Sequence, residues 1–341
     1  MNDESFSGPV VPNGGFDSPG LWQSSRRIRK GAPSMELRHL RYFVAVAEDL
    51  NFTRAAKRLD ITQPSLSSQI RQLEREMGMP LLRRETRGVE LTDAGKLMLE
   101  EARAILRDVE RVKIGVARRA RGETGKINIG SAGGTYFHPL MPAIIREFKM
   151  GYPDVVLAPE ESNTSLLLAR LRAGAIDVAF VRPPFSDMDG LKFEMLVREP
   201  ILMVLPGEHP LALSKSAPLS ALAQELIILF PRAINPAVYD AILAAFVRAG
   251  FTPRLGQEAP QVASAIPMVA AGFGVTLVPE SMRHVHPDGV VFVPVEGPAL
   301  AAEICLAYRK TQRSAAVRNF INVARRQAQI APTQRDVVKR A

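Results

Sequence analysis

The chain has 341 residues, of which 46% are hydrophobic and 23% are charged, and its formal net charge is +9. A chain of this length and composition is expected to fold into more than one domain, each with its own apolar core, which excludes a fibrous or fully disordered protein. The single cysteine, Cys305, lies in an apolar run and excludes both a disulfide framework and a metal site of several thiolates.

Composition also bears on compartment and partners. No apolar stretch approaches the roughly 20 residues that span a bilayer, and the polar opening residues do not resemble a secretory signal, so a cytoplasmic protein with no membrane partner is expected. The positive charge is compatible with nucleic acid binding, but the C-terminal two thirds are close to neutral apart from the last residues. Net charge alone therefore identifies no partner.

Residues 1–34 are rich in Gly, Pro, Ser and Asn and carry no sustained apolar period. They are predicted to be disordered. The segment ends in a basic cluster at residues 26–30, for which two interpretations stay open: extra contacts to nucleic acid phosphates or, as we favour, a solvated tail.

Three short amphipathic helices are predicted next, because apolar residues recur at the i, i+3, i+4 spacing of a helix with one buried face. Asn51 is placed to cap the second helix and Thr62 the third, which has Pro64 in its first turn and ends at Gly78. The apolar positions are Leu40, Phe43, Val44, Ala47 and Leu50, then Phe52, Ala55, Ala56 and Leu59, then Leu66, Ile70, Leu73 and Met77.

The third helix carries small polar side chains on its predicted outward face. Such side chains hydrogen-bond base edges and let a helix approach the floor of the DNA major groove. A polar outer face on a small helical bundle is the alternative. Residues 81–92 favour DNA, because they predict two short strands with arginines at the turn, a wing that holds phosphates or the minor groove. The outward residues are Gln63, Ser65, Ser67, Ser68 and Gln69, and the wing arginines are Arg83, Arg84 and Arg87.

In order and spacing, residues 52–95 resemble the winged helix-turn-helix of LysR-type transcriptional regulators. The resemblance rests on the runs 52–56, 62–67, 69–70, 73–74, 81–84 and 91–95, with Leu59 and Gly78. It implies that the partner is double-stranded operator DNA and that Gln63, Pro64 and Ser67 contact it. Ser68 departs from the family, which commonly has arginine there. The full set of expected DNA-binding residues adds Arg54, Ser65, Ser68, Arg71, Arg83, Arg84 and Arg87.

Between residues 94 and 121, apolar residues fall at alternating intervals of four and three, which is a heptad seam. A lone charged helix with such a seam is unstable unless the seam is buried. We therefore expect two copies of the chain to pair here, with dimers joining into tetramers. Packing of the seam against the chain's own body is the alternative. The seam consists of Met98, Ala102, Ile105, Val109, Val112 and Val116.

After Gly125 the pattern changes to alternating strands and helices, which predicts two α/β lobes with a ligand cleft between them. The loop at residues 130–135 follows a strand and precedes a helix, so the N–H groups of Gly133, Gly134 and Thr135 are candidates to hold an anion. Glycines at a tight turn are also commonly structural, and that alternative stays open.

Two further residues are candidates for the cleft. Thr164, beside Asn163 at the start of a predicted helix, either caps that helix or donates to a ligand carboxylate. Arg182 follows the third strand and either points into the cleft as a cation or pairs with a nearby carboxylate.

Over most of residues 126–309 the body resembles the effector domain of the same family, whose two-lobed fold is like that of periplasmic binding proteins. It is similar to members that govern aromatic-compound degradation, in which small carboxylates such as muconate sit between the lobes. The resemblance implies that Thr164 binds the carboxylate, whereas Gly134 stands where relatives often have serine. Pro231 and Asn235 complete the expected effector site.

An enzyme built on an α/β body is the alternative from another class. The five histidines are scattered, and only His284 and His286 lie close together, without a cysteine or paired acids at metal-ligand spacing. The sequence has no Gly-x-Ser-x-Gly elbow, Walker loop or full dinucleotide fingerprint. We therefore expect no catalysis, metal or cofactor, and predict a DNA-binding regulator with a small-molecule effector. A two-lobed binding protein or enzyme without a DNA role is the alternative.

These interpretations divide the chain into five segments. They are a disordered extension (1–34), an all-α winged helix-turn-helix module (35–93), a linker helix for dimerisation (94–125), a two-lobed α/β effector domain (126–325) and a tail (326–341).

Overall fold

The computed structural model describes residues 35–85, 88–185, 188–234, 236–284, 288–297 and 300–330. Several sequence predictions therefore lie outside the described residues: the extension 1–34, Arg87, Asn235, His286 and the tail from 331 onward. The chain divides between Lys113 and Ile114 into two compact units, and each is described by itself. Within the described ranges, no helix combines the length and the apolar content needed to cross a membrane.

The first unit contains the three predicted helices followed by the predicted hairpin, which confirms both expectations. Its elements are α1 (Leu37–Asp49), α2 (Phe52–Arg58), α3 (Gln63–Met77), β1 (Leu82–Glu85), β2 (Gly88–Leu91) and the first part of α4 (Asp93–Arg121). The hairpin strands β1 and β2 are antiparallel.

The predicted caps are confirmed. The Asn51 side chain accepts the Arg54 backbone N–H at 3.0 Å, and the Thr62 hydroxyl accepts that of Ser65 at 3.4 Å. Gly78 ends α3 with a φ of 71°, in the left-handed region that glycine adopts without strain. These caps fix where α2 and α3 begin and where α3 ends.

The apolar faces of α1, α2 and α3 meet in one core. Phe43, Leu66 and Leu73 are fully buried there. The first turn of α4 closes against this core at Gly95, where a Cβ atom would lie 2.0 Å from the carbonyl oxygen of Leu81. A glycine is needed at this position because any side chain would collide with that backbone.

The heptad seam is only partly covered within one chain. Met98 and Ala102 belong to the core of the first unit, and Ala102 is fully buried. Farther along the 29-residue helix α4, Val112 and Val116 are 61% and 65% exposed. The start of the seam therefore packs on the chain's own body, whereas Val112 and Val116 at its end are largely exposed.

The second unit follows α4. Its elements are β3 (Gly125–Ala132), α5 (Leu140–Gly151), β4 (Val155–Ser162), α6 (Thr164–Arg172), β5 (Val178–Val181), β6 (Leu191–Pro206), β7 (Leu226–Ile227), α7 (Pro236–Arg248), β8 (Arg254–Leu255), α8 (Ala265–Ala270), β9 (Thr276–Pro279), β10 (Val290–Pro294), β11 (Ala301–Arg309) and α9 (Ala315–Ile330).

Two lobes with separate cores make up this unit, as predicted. In the first lobe the strand order is β4-β3-β5-β11-β6, with β3, β4 and β5 parallel and β11 antiparallel to both of its neighbours. In the second lobe the last part of β6 pairs antiparallel with β9 and β10. The long strand β6 thus belongs to both sheets.

The chain crosses between the lobes at two neighbouring places. Strand β6 passes from one lobe to the other at Pro200, and β11 begins beside it, with Ala301 opposite Pro200. The Ile201 N–H donates to the Leu300 carbonyl at 2.8 Å, which holds the two crossings together.

The end of α4 docks on the start of α9. Gly122 follows α4 with a φ of 73°, and a Cβ atom there would lie 2.4 Å from the backbone nitrogen of Ala316. The Asn319 side-chain amide donates to the Arg121 carbonyl at 2.9 Å. Within the second unit, this contact fixes the end of α4 to α9 through backbone atoms.

Replacing Gly122 by Ala is expected to lower the free energy of unfolding by about 2–4 kcal/mol, because it adds a clash with α9 to the cost of a left-handed alanine. Gly174 is the matched control, since it also follows a helix, has a φ of 75° and has open space around its Cβ position. Gly174→Ala should cost about 1 kcal/mol. Urea denaturation of both variants measures the difference, and equal losses would contradict the docking contact.

Candidate DNA interface and effector cleft

The exposed face of α3 carries five of the ten residues predicted to contact DNA. Pro64, Ser65, Ser68 and Arg71 are exposed and Gln63 is partly exposed. The helix dipole also favours a negatively charged partner at this end. These five residues offer small hydroxyl groups, the Gln63 amide and the Arg71 guanidinium group.

Ser67 differs from the prediction that placed it on the outward face. It is only 4% exposed, because it neighbours Leu66 on the side of α3 that packs on the core. Its hydroxyl accepts a hydrogen bond from the Gln63 amide nitrogen at 2.9 Å. The buried Ser67 hydroxyl therefore orients the Gln63 side chain through this hydrogen bond.

Arg54 lies at the corner between α1 and α2. Its guanidinium donates to the backbone carbonyl of Asp49, and its own backbone N–H is the one capped by Asn51. The side chain is exposed. Arg54 thus lies on the surface of α2, the helix that precedes α3 in the helix-turn-helix.

The wing arginines do not all point in one direction. Arg83 and Arg84 are successive exposed residues of β1, so their side chains lie on opposite faces of the hairpin. The Arg84 guanidinium carbon lies 5.0 Å from the centre of the Phe52 ring, a cation–π contact with α2. Within the described ranges neither arginine has a carboxylate within ion-pair distance.

The loop after β3 uses its hydroxyl groups internally. Ser131 and Thr135 are fully buried, their hydroxyls are hydrogen-bonded to each other, and Thr135 also donates to the Ala132 carbonyl at 2.8 Å. The Thr135 hydroxyl is therefore engaged within the loop. Among the described residues, none accepts a hydrogen bond from the backbone N–H of Gly133, Gly134 or Thr135.

Groups from both lobes meet at this loop. A Cβ atom on Gly134, whose φ is 79°, would lie 2.3 Å from the terminal carbon of Met282 in the second lobe. Gln261 of the second lobe and Glu161 of the first approach the Cβ position of Gly133, at 4.0 and 3.7 Å. A side chain at position 134 would have to displace the end of the Met282 side chain and adopt a left-handed backbone conformation.

Thr164 is the first residue of α6, and the capping role belongs to its neighbour. The Asn163 side chain accepts the Leu166 N–H at 2.8 Å. No described residue forms a hydrogen bond with the Thr164 hydroxyl. Of the two roles that the sequence left open for Thr164, capping is therefore taken by Asn163.

Arg182 lies in a buried ion pair at the crossing between the lobes. It is 2% exposed, and its guanidinium nitrogen lies 3.0 Å from a carboxylate oxygen of Glu199, whose other oxygen accepts the Ser281 N–H at 2.8 Å. Burial lowers the pKa of Arg182, and Glu199 opposes that shift. Of the two roles predicted for Arg182, the structure thus shows pairing with a carboxylate. The sequence alone did not identify Glu199 as that partner.

Pro231 borders the second lobe. It directly follows the buried Phe230 and is partly exposed, and its carbonyl accepts the Ile234 N–H at 2.9 Å. Its predicted companion Asn235 lies outside the described residues.

A cavity of about 360 Å³ lies elsewhere in the second unit, and it contains none of the predicted effector residues. It is formed by the end of α4, the start of β3 and the start of α9. Its lining includes Arg119, Lys126, Arg313 and Arg318. In the described part of the chain, no cluster of three or more His, Cys, Asp and Glu side chains is arranged to hold a metal ion.

A winged helix-turn-helix joined by a long helix to a two-lobed α/β domain defines a DNA-binding transcriptional regulator with an effector-binding domain. Residues 37–96 match the bacterial regulatory helix-turn-helix protein family of lysR type, and residues 120–329 match the LysR substrate binding domain. The chain belongs to the LysR family of transcriptional regulators, whose members are not enzymes.

The similarity extends over the full length of two curated relatives and over most of this chain. The chain is 38% identical over 289 residues to the HTH-type transcriptional regulator BudR of Raoultella terrigena, a match that covers 85% of this chain and 100% of BudR. It is 37% identical over 295 residues to the HTH-type transcriptional regulator CatR of Pseudomonas putida, covering 86% and 100%.

Solved structures agree with this assignment. The structure is similar to crystal structures of the LysR family regulator CbnR, alone with a TM-score of 0.77 and complexed with its target DNA with a TM-score of 0.76. Both are 29% identical and cover 85% and 86% of this chain and 100% of the CbnR chain. The BenM effector binding domain with its effector benzoate matches with a TM-score of 0.56 and 27% identity, over 60% of this chain and 93% of that one.

Proposed function

We propose that this regulator reads its operator with the outward face of α3, holds flanking phosphates with the wing, and responds to a small carboxylate between its lobes. The observation that carries the proposal is the two-sided character of α3. Its apolar side is buried in the core of the first unit, and its exposed side consists of groups that bond base edges. The CbnR complex with its target DNA supports DNA binding by this type of module.

The base-reading residues are Gln63, Pro64, Ser65, Ser68 and Arg71, and the phosphate contacts come from Arg54 and the wing arginines. Ser67 acts through Gln63, because its buried hydroxyl holds the Gln63 amide nitrogen. The amide carbonyl of Gln63 then stays available to accept a hydrogen bond from a base. Arg87 is expected to complete the wing contacts.

Replacing Gln63 by Ala is expected to weaken binding to the selected operator by roughly 1–3 kcal/mol and to leave binding to a scrambled duplex nearly unchanged, because base contacts carry the sequence preference. The variant should fold normally, since Gln63 is partly exposed. Fluorescence anisotropy titrations with both duplexes measure the two affinities.

Arg84→Ala is the comparison variant, because it removes a charge and not a base contact. It should weaken binding to both duplexes and flatten the dependence of affinity on salt concentration. Equal losses for Gln63→Ala on the operator and on the scrambled duplex would contradict base reading by α3.

We further propose that a second copy of this chain covers the exposed half of the seam. Val112 and Val116 lie on one side of α4 and are largely exposed, whereas charged neighbours pair within the helix, as in Arg111 with Asp108 at 3.1 Å. Pairing would bury the apolar stripe without stranding a charge. It would also raise operator affinity, because a tethered second module binds at high effective concentration.

Val112→Glu is expected to shift the protein from dimer to monomer at micromolar concentration, as measured by sedimentation, because it places a charge in the seam. Ile114 is the matched control, since it is 59% exposed on the opposite side of the same helix. Ile114→Glu should leave the dimer intact. A wild-type protein that sediments as a monomer would refute pairing through α4.

For the effector, a small aromatic or ring-cleavage carboxylate fits the groups at the cleft. The unbonded N–H groups of the loop after β3 and the Thr164 hydroxyl are donors, and donors bind carboxylates. The BenM effector domain with benzoate supports the same ligand class. An effector that binds two lobe arrangements with different affinity would shift their populations, a coupling of ~1–3 kcal/mol, and thereby change how the DNA is held.

Thr164→Val is expected to reduce the thermal stabilisation given by benzoate and cis,cis-muconate, because it removes one donor without changing side-chain volume appreciably. Asn163 keeps the helix cap, so the unliganded melting temperature should stay close to that of the wild type. Ser165→Ala serves as the control, because it removes an exposed hydroxyl from the same turn. A full response in Thr164→Val would show that the pocket lies elsewhere.

A further inference from the structure

His39 in the first turn of α1 is fully buried, and both of its ring nitrogens have partners. Its Nδ1 atom lies 3.1 Å from the backbone nitrogen of Glu36. Its Nε2 atom lies 3.1 Å from the side-chain oxygen of Gln69, thirty residues away on α3. A buried polar ring thus joins the first helix to the helix that faces the DNA.

These two contacts determine which ring nitrogen of His39 carries the proton and which way the Gln69 amide is turned. A backbone N–H only donates, so Nδ1 of His39 must accept from Glu36. In a neutral imidazole the proton then resides on Nε2, which donates to its partner. That partner must be an acceptor, so the Gln69 side chain turns its carbonyl oxygen toward His39 and its amide nitrogen away.

Gln69 lies at the edge of the outward face of α3. It is partly exposed, with the exposed Ser68 on one side and the buried Ile70 on the other. The amide nitrogens of the two neighbouring glutamines are already used, that of Gln63 on Ser67 and that of Gln72 on Glu76 at 3.2 Å. No described residue accepts a hydrogen bond from the Gln69 amide nitrogen.

We propose that His39 is a positioning residue for operator recognition, which locks Gln69 as a pure hydrogen-bond donor toward a base edge. A free glutamine amide can rotate and present either its oxygen or its nitrogen, so it tolerates both acceptor and donor bases. With the oxygen held by His39, Gln69 selects an acceptor such as guanine O6 or N7 or thymine O4, and disfavours the amino group of cytosine. This inference rests on the proposed placement of α3 in the major groove.

Two substitutions of His39 separate this role from ordinary packing. His39→Met fills a similar volume and removes both polar contacts. His39→Gln also disturbs the contact with Glu36, but it keeps an N–H donor at the position of Nε2. The two variants therefore differ mainly in whether residue 39 still donates a hydrogen bond to the Gln69 side-chain oxygen.

The experiment begins with a duplex selected from a randomised pool by the wild-type protein, together with a panel carrying each single base-pair change. His39→Met is expected to lose about fivefold in affinity for the selected duplex and to flatten the preference at one base pair, which is the scale of one hydrogen bond. His39→Gln should retain the wild-type profile. Gln69→Met, a change on a partly exposed side chain, should flatten the preference at the same base pair. The double variant His39→Met, Gln69→Met should lose no more affinity for the selected duplex than either single variant.

Three results would overturn the proposal. A folded His39→Met protein with the wild-type base preference would show that His39 does not orient Gln69. An equal loss of affinity in His39→Gln would assign the effect to the contact with Glu36 at the start of α1. A loss of the same size on a scrambled duplex would mean that no base is read. Failure of the wild-type protein to select any duplex is a different outcome, seen before any variant is made, and it would sink the proposed function itself.

Discussion

The rotation of α3 about its own axis is the constraint on which the DNA interface depends. Leu66, Ile70 and Leu73 anchor one side of the helix in the core of the first unit, where each is at most 2% exposed. Truncating a buried leucine typically costs about 2–5 kcal/mol, so these contacts hold the helix far more firmly than any one surface contact could turn it. The polar residues face outward because the apolar residues are held in the core. The hydrogen bond between His39 and Gln69 adds a directional contact to this anchoring.

Helix α4 has a different constraint, because no single environment covers it. Its first turns are fixed to the first unit through Gly95 and Ala102, and its last turn is fixed to α9 through Gly122. Between these points Ile105, Val112, Ile114 and Val116 are exposed, and a helix of this kind gains its stability from packing and not from propensity alone. Val112 and Val116 are the apolar side chains of α4 that the proposed second copy would cover.

Local pattern predicted much of this arrangement from the sequence: the caps at Asn51 and Thr62, the hairpin, the seam and the alternation of strands and helices. The prediction that Ser67 faces outward was wrong, because a residue next to Leu66 lies at the margin of the apolar stripe and periodicity does not resolve which side it takes. The remaining features depend on partners distant in sequence. Arg182 meets Glu199 through the crossing strand, Gly134 meets Met282 across the lobes, and His39 meets Gln69 between helices. No local spacing encodes such pairs.

The position of the cleft groups decides whether an effector can act as a signal at all. A ligand with equal affinity for two lobe arrangements shifts nothing, however tightly it binds. A ligand held only by the loop after β3 would be of that kind, since every contact would belong to one lobe. At that loop, however, Gln261 and Met282 of the second lobe come within contact distance of the Gly133 and Gly134 Cβ positions. An effector bound at that loop, as proposed, would contact both lobes, so its binding free energy would depend on their separation, and this dependence is what coupling to DNA requires.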